Sequence, residues 1–202
     1  MNKFILFIIT FLFSNSVFSQ TEWKIDTKHS SINFSVSHLV VSETEGRFKN
    51  FDGKIISTKE SFEDAEIEFT IDVNSIHTDN IDRDNHLKND DFFAAEKFPQ
   101  MKFKSSSFKK ISENKYKLIG NMTIRDVTKK VELDVTYGGT KTIAAWNMTK
   151  AGFKISGVLN RFDFGLKFDK TLETGELIVG KDVEISCKIE LDKVETKKEN
   201  KK

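Results

Sequence analysis

The sequence predicts an all-β domain, an eight-stranded antiparallel β-barrel with a short helical lid insertion, on three observations. Apolar and polar residues alternate along short segments through most of the chain, and a period of two marks strands with one buried face. Short turns join the segments, and with only one proline in the chain none of them is interrupted by one. A single stretch breaks the period: Ser75 to Pro99, SIHTDNIDRDNHLKNDDFFAAEKFP.

Residues 1–19 read as a cleavable export signal, with Lys3 in the n-region, an apolar run from Phe4 to Phe13, and Val17-Phe18-Ser19 before Gln20. The apolar run is shorter than the roughly 20 residues a spanning helix needs. The expected organisation is therefore signal 1–19, barrel 20–192 and a disordered basic tail 193–202, with a surface tether as the tail's other reading. The chain carries 32 basic and 31 acidic residues, and loss of Lys3 with the signal balances them. No net field then recruits nucleic acid, and membrane contact is expected to be transient at most. The only cysteine, Cys187, forbids an intrachain disulfide, so packing must hold the fold.

In chain order, Ile32, Phe34 and Val36 alternate with Asn33, Ser35 and Ser37. From Gly46 to Ile56 the apolar phase slips between Phe48 and Phe51, which predicts a bulge near Asn50. Ala65 to Val73 form the cleanest strand. In the stretch that follows, Asp84, Asn89, Asp90 and Asp91 stand as candidate N-caps for one or two helical turns, and Pro99 ends them. Met101, Phe103 and Ser105 share a face, as do Tyr116, Leu118, Gly120, Met122 and Ile124. A type I turn at Arg125-Asp126 leads into Val131, Leu133, Val135 and Tyr137, stopped by Gly138-Gly139. Phe153 to Leu159 and Val183 to Leu191 supply the last strands.

Nineteen phenylalanines stand against two tyrosines and two tryptophans. Phenylalanine brings apolar surface with no polar atom to satisfy. An eight-stranded barrel either fills with such side chains or holds one slender ligand, and composition leaves both open. A cavity of this kind suits an acyl or isoprenoid chain. Strand phase and the lid stretch give the candidate lining: Phe34, Val36, Ile67, Phe69, Ile71, Leu87, Phe92, Phe93, Met101, Phe103, Leu118, Met122, Leu133, Val135, Phe153 and Ile155.

The four histidines pair at equal spacing, His29 with His38 and His77 with His86. An odd separation on a continuous strand points the first two rings to opposite faces, so hydrogen-bonded histidines are expected and no metal site is assigned. No Gly-x-Ser-x-Gly occurs, and no catalytic set or cofactor is assigned. Arg83, with Asp84 and His86, either fastens the lid or meets a ligand head group, and Arg161 with Asp163 offers the same choice. An enzyme acting on a lipid head group through His29, His38, His77, His86 or Arg83 is the rival reading, and a filled-barrel interaction module is a third.

Several short motifs recur in a specific order: His29-Ser30, Phe34-Ser-Val-Ser-His-Leu39, Gly46-Arg-Phe48, Phe51-Asp-Gly53, Arg83-Asp84-x-His86-Leu87, Asp91-Phe-Phe93, Gly120-Asn-Met-Thr-Ile124 and Asn160-Arg161-x-Asp163-Phe-Gly165. Over roughly residues 22 to 192 the chain resembles the YceI-like family. That resemblance implies a lipocalin-like barrel in the bacterial periplasm, a non-enzymatic binder or carrier of a polyisoprenoid or other long-chain, fatty-acid-like lipid. A homodimer stays open.

Overall fold

The computed structural model describes residues 20–194, so the expected signal and the chain beyond residue 194 lie outside the described residues. The elements are β1 (Thr21–Ile25), β2 (Ser31–His38), β3 (Ser42–Phe48), β4 (Phe51–Ser57), β5 (Glu66–Asp72), β6 (Ile76–His77), α1 (Ile81–Lys88), β7 (Gln100–Ser112), β8 (Lys115–Ile124), β9 (Val127–Ile143), β10 (Met148–Asn160) and β11 (Val179–Lys193). All strands join one antiparallel sheet, and β1 pairs with both β4 and β11, which closes it.

Three of the barrel's eight staves are broken. β11 pairs with β1 at Leu191 to Lys193 and with β2 from Val179 to Lys188, so β1 and β2 are two halves of one stave. β3 and β4 form the next, interrupted at Lys49-Asn50, where the phase slip predicted a bulge. β5 and β6 form the third, with Ser75 between them accepting from the Asn50 backbone N–H at 3.0 Å through its hydroxyl. These bonds occupy backbone groups that the breaks would otherwise strand.

β6 lasts two residues and pairs only with β3, leaving a gap before β7 into which the lid inserts. Its helix is α1. The N-cap is Asn80, whose side chain accepts from the Arg83 N–H at 3.0 Å. This corrects the expected caps: Asp84 lies inside the helix and is buried, and Asn89 is the C-cap. The Asp84 carboxylate has turned to Thr78 instead, which removes it from capping.

Two turns also differ. Gly138-Gly139 does not stop β9, because Gly139 (φ 104°) accommodates a bulge opposite Gly152/Phe153 and the strand continues to Ile143. A glycine at positive φ serves a bulge as readily as an end. Arg125 has φ 57°, so the β8–β9 turn is not type I, whose first central residue has negative φ; a two-residue hairpin favours the primed geometries that match strand twist.

The antiparallel order puts the β2–β3 turn, the lid, the β8–β9 turn and the 161–178 connection at one end of the barrel, the mouth. The 58–65 and 144–147 connections lie at the other. Among the described residues no helix is long and apolar enough to cross a membrane.

Candidate ligand cavity

Inside the barrel lies a cavity of about 220 Å³, lined almost wholly by apolar side chains. Every residue assigned to the lining from strand phase and from the lid stretch borders it, from Phe34 and Val36 to Phe153 and Ile155. Asn33 and Arg161 are the polar exceptions.

The lumen stays open partly because phenylalanine rings lie across glycines on the neighbouring strand. Phe34 pairs with Gly46, and Phe69 with Gly53. A Cβ on Gly46 would collide with the Phe34 ring, and one on Gly53 would sit 2.8 Å from Phe69 Cδ2. Glycine lets each ring rest against the wall, where a side chain would drive it toward the axis.

The far end is closed by a plug that sequence periodicity does not reveal. Phe62, in the 58–65 connection, is 2% exposed at φ 60°. Its ring lies 5.1 Å from Trp23, 5.1 Å from Phe153 and 5.8 Å from Tyr137. Tyr116 adds a hydroxyl donated to the Ser61 carbonyl at 2.8 Å. Asp64 fixes the loop by accepting from the Ser57 hydroxyl (2.6 Å), the Thr58 N–H (2.8 Å) and the Thr58 hydroxyl. Burial opposes its ionisation, but these bonds outweigh burial and hold its carboxyl well below the usual range.

At the mouth the lid is stitched down. Arg125 Nη1 donates to the carbonyls of Asp90 (3.2 Å), Phe92 (3.1 Å) and Gly165 (2.8 Å), joining the lid loop to the 161–178 connection. The Phe92 and Phe168 rings stack at 5.1 Å. Arg83 is a fastener: its Nε and Nη2 donate to the Thr78 hydroxyl (2.8 Å) and carbonyl (2.6 Å). Arg161, 4% exposed, donates to the carbonyls of Gly180 (2.8 Å), Val179 (2.9 Å) and Leu166 (3.4 Å).

The paired histidines separate. His29 sits at the β1–β2 break, with Nδ1 2.8 Å from Asp26, whereas His38 ends β2 at the mouth. His77 lies 3.0 Å from Asp79 and 3.3 Å from Asp84, and His86 lies 3.5 Å from Asp91. Asp26, His29 and Glu190 cluster closely enough to suggest metal ligands, but the Lys150 ammonium supplies the positive charge there, 2.7 Å from Asp26 and 2.8 Å from both Glu190 and Asp192. Cys187 lines the cavity, and burial pushes its thiol up to about 12.

A YceI-like domain model matches residues 23–191. The chain belongs to the YceI-like family. Among YceI-like relatives, a UPF0312 protein of Staphylococcus aureus is 34% identical over 170 residues, 84% of this chain and 96% of that protein. The solved YceI protein of Campylobacter jejuni is 31% identical, with a TM-score of 0.68 over 79% of this chain and 90% of that one. A polyisoprenoid binding domain from Saccharophagus degradans, implicated in plant cell wall breakdown, shares the fold at 14% identity, with a TM-score of 0.61 over 84% of this chain and 97% of that one.

Proposed function

We propose that this YceI-like protein is an exported, periplasmic carrier that holds the chain of a polyisoprenoid or similar long amphiphile and does no chemistry on it. The cavity carries the proposal: about 220 Å³ of space faced by apolar side chains and closed at one end by aromatic rings. Dry apolar cavities of about 150 Å³ take up benzene, so this one admits a longer segment, with the remainder of the chain running out through the mouth. Each buried methylene contributes about 0.8 kcal/mol. The Saccharophagus degradans neighbour, described as a polyisoprenoid binding domain, supports the ligand class. Export rests on the signal read in residues 1–19.

The carrier reading also fits the titratable groups facing the cavity. Among the described residues these are Arg161, a permanent cation, and Cys187, a thiol raised to about 12. Neither exchanges a proton near neutral pH, so neither serves as a general acid or base there.

Filling the lumen tests this reading. Ile155 and Ile185 border the cavity and are partly buried. Ile155→Trp with Ile185→Trp should leave a folded barrel that binds an added isoprenyl alcohol at least roughly tenfold more weakly. A folded double variant with unchanged affinity would place the ligand elsewhere.

A further inference from the structure

We propose that the mouth holds a site for an anionic head group, phosphate or carboxylate, on the same amphiphile whose chain fills the barrel. A vestibule of about 200 Å³ adjoins the cavity and shares Phe34, Val36, Leu87, Phe92 and Val179 with it. Its remaining lining changes character. Among the described residues, the ionisable side chains that border it are His38, Arg83 and His86, joined by the hydroxyls of Ser37 and Thr44, and no carboxylate borders it. A chain leaving the apolar cavity therefore passes His38, Arg83 and His86, set in walls that are otherwise largely apolar.

Each basic group comes from a different constraint. His38 ends β2. Arg83 spends Nε and Nη2 on Thr78, and Nη1 has no protein partner among the described residues. His86 is held edge-on by Phe92 and Phe168, with ring centroids at 5.1 Å and 5.4 Å. Asp91, 3.5 Å from His86 Nε2, is the acidic neighbour and lies outside the lining.

A second cation reinforces the field from beneath. Arg161 borders the cavity, is 4% exposed, and meets only carbonyl oxygens through its hydrogen bonds, one of them on Val179, which the two chambers share. The Asp169 carboxylate acts on this buried guanidinium through space without a hydrogen bond to it, so the positive charge at the junction of chain site and vestibule is only partly offset. Charge-assisted hydrogen bonds from a guanidinium to phosphate or carboxylate are the strong class of polar contact, and imidazole N–H groups add further donors.

The inference rests on the carrier reading, and a matched pair of ligands separates the two. Binding of geranylgeraniol and of geranylgeranyl monophosphate is measured on the whole protein by calorimetry at neutral pH, with inorganic phosphate alone as the third probe. The expected result is a roughly tenfold or greater preference for the monophosphate and no measurable binding of inorganic phosphate. His38→Gln with His86→Gln, which spares the Arg83–Thr78 fastening, should erase most of that preference while alcohol binding stays unchanged. Adding Arg83→Gln should erase the rest. Equal affinity for alcohol and monophosphate in the unaltered protein would overturn the head-group site and leave the carrier standing. Binding of neither would overturn the carrier reading itself. Inorganic phosphate as tight as the lipid phosphate would make the vestibule a free-anion site, and a preference that survives the variants would place the head group elsewhere.

Discussion

Asp84, inside the lid helix, accepts two hydrogen bonds from Thr78: 2.8 Å from its backbone N–H and 2.6 Å from its hydroxyl. The helix is thereby tied, through a buried carboxylate, to the segment that leads into it. Burial opposes the ionisation of Asp84, but the Thr78 bonds and His77 overcome that and hold its carboxyl below the usual range. A depressed carboxylate stabilises the fold above its unfolded value, near 3.9, and that contribution is lost as pH falls through the folded value. Asp84→Asn should cost about 2 kcal/mol in denaturant unfolding at neutral pH, and the difference from the unaltered protein should shrink below about pH 4.

Lys150 governs a second pH-dependent element. Its ammonium joins Asp26, Glu190 and Asp192 across the β1–β2 break. The Lys150 hydrogen bond, then that of His29, hold the Asp26 carboxyl far below its ordinary value. Lys150→Met leaves three carboxylates facing one another, and should destabilise by about 2–3 kcal/mol at pH 7. Acid should narrow that gap as the carboxylates protonate, since the lysine's advantage exists only while they are charged. Urea midpoints at pH 7 and pH 3.5 make the comparison.

The β2–β3 turn carries strain. Leu39 (φ 52°) and Val40 (φ 63°) both occupy the left-handed region, the pattern of a type I′ turn, without the asparagine or glycine such turns favour. Leu39→Asn with Val40→Gly should raise stability by about 1–2 kcal/mol. A chemical-denaturation curve with unchanged slope and no gain would show that the turn is not strained.

Arg125 should set how readily the lid opens. Removing its three carbonyl contacts by Arg125→Ala is expected to speed hydrogen exchange roughly tenfold or more at Lys167 and Phe168, whose amides donate to the Asp91 carbonyl in the lid. Exchange in β8 and β9 away from the turn should not change.

What the sequence disclosed follows from the physics of period. Phe34, Phe69 and Phe103 could be placed inward because alternation on a strand admits two faces, and the apolar one must be covered. Phe62 could not, since an isolated apolar residue in a loop has no phase, and its φ of 60° leaves no mark on a single sequence. Its one legible hint is Asp64 following Ser57-Thr58, the side-chain chemistry of a tight loop. Asn80 and Asp84 are equally good caps by composition, and only the Thr78 contacts decide between them. Arg83 and His86 stand out as a cluster in the sequence, but spacing pairs His38 with His29, which the fold places elsewhere. Proximity across the mouth is a property of barrel closure, and no local pattern encodes it.

The most direct test of the carrier reading is a comparison of native and denatured mass after expression of the full chain in a bacterial host and purification without detergent, followed by solvent extraction of whatever is lost on denaturation. The expected result is a discrete excess mass that extracts as an isoprenoid or other long-chain lipid. A native mass equal to that of the chain alone, with no uptake of added isoprenoids by that protein, would contradict it.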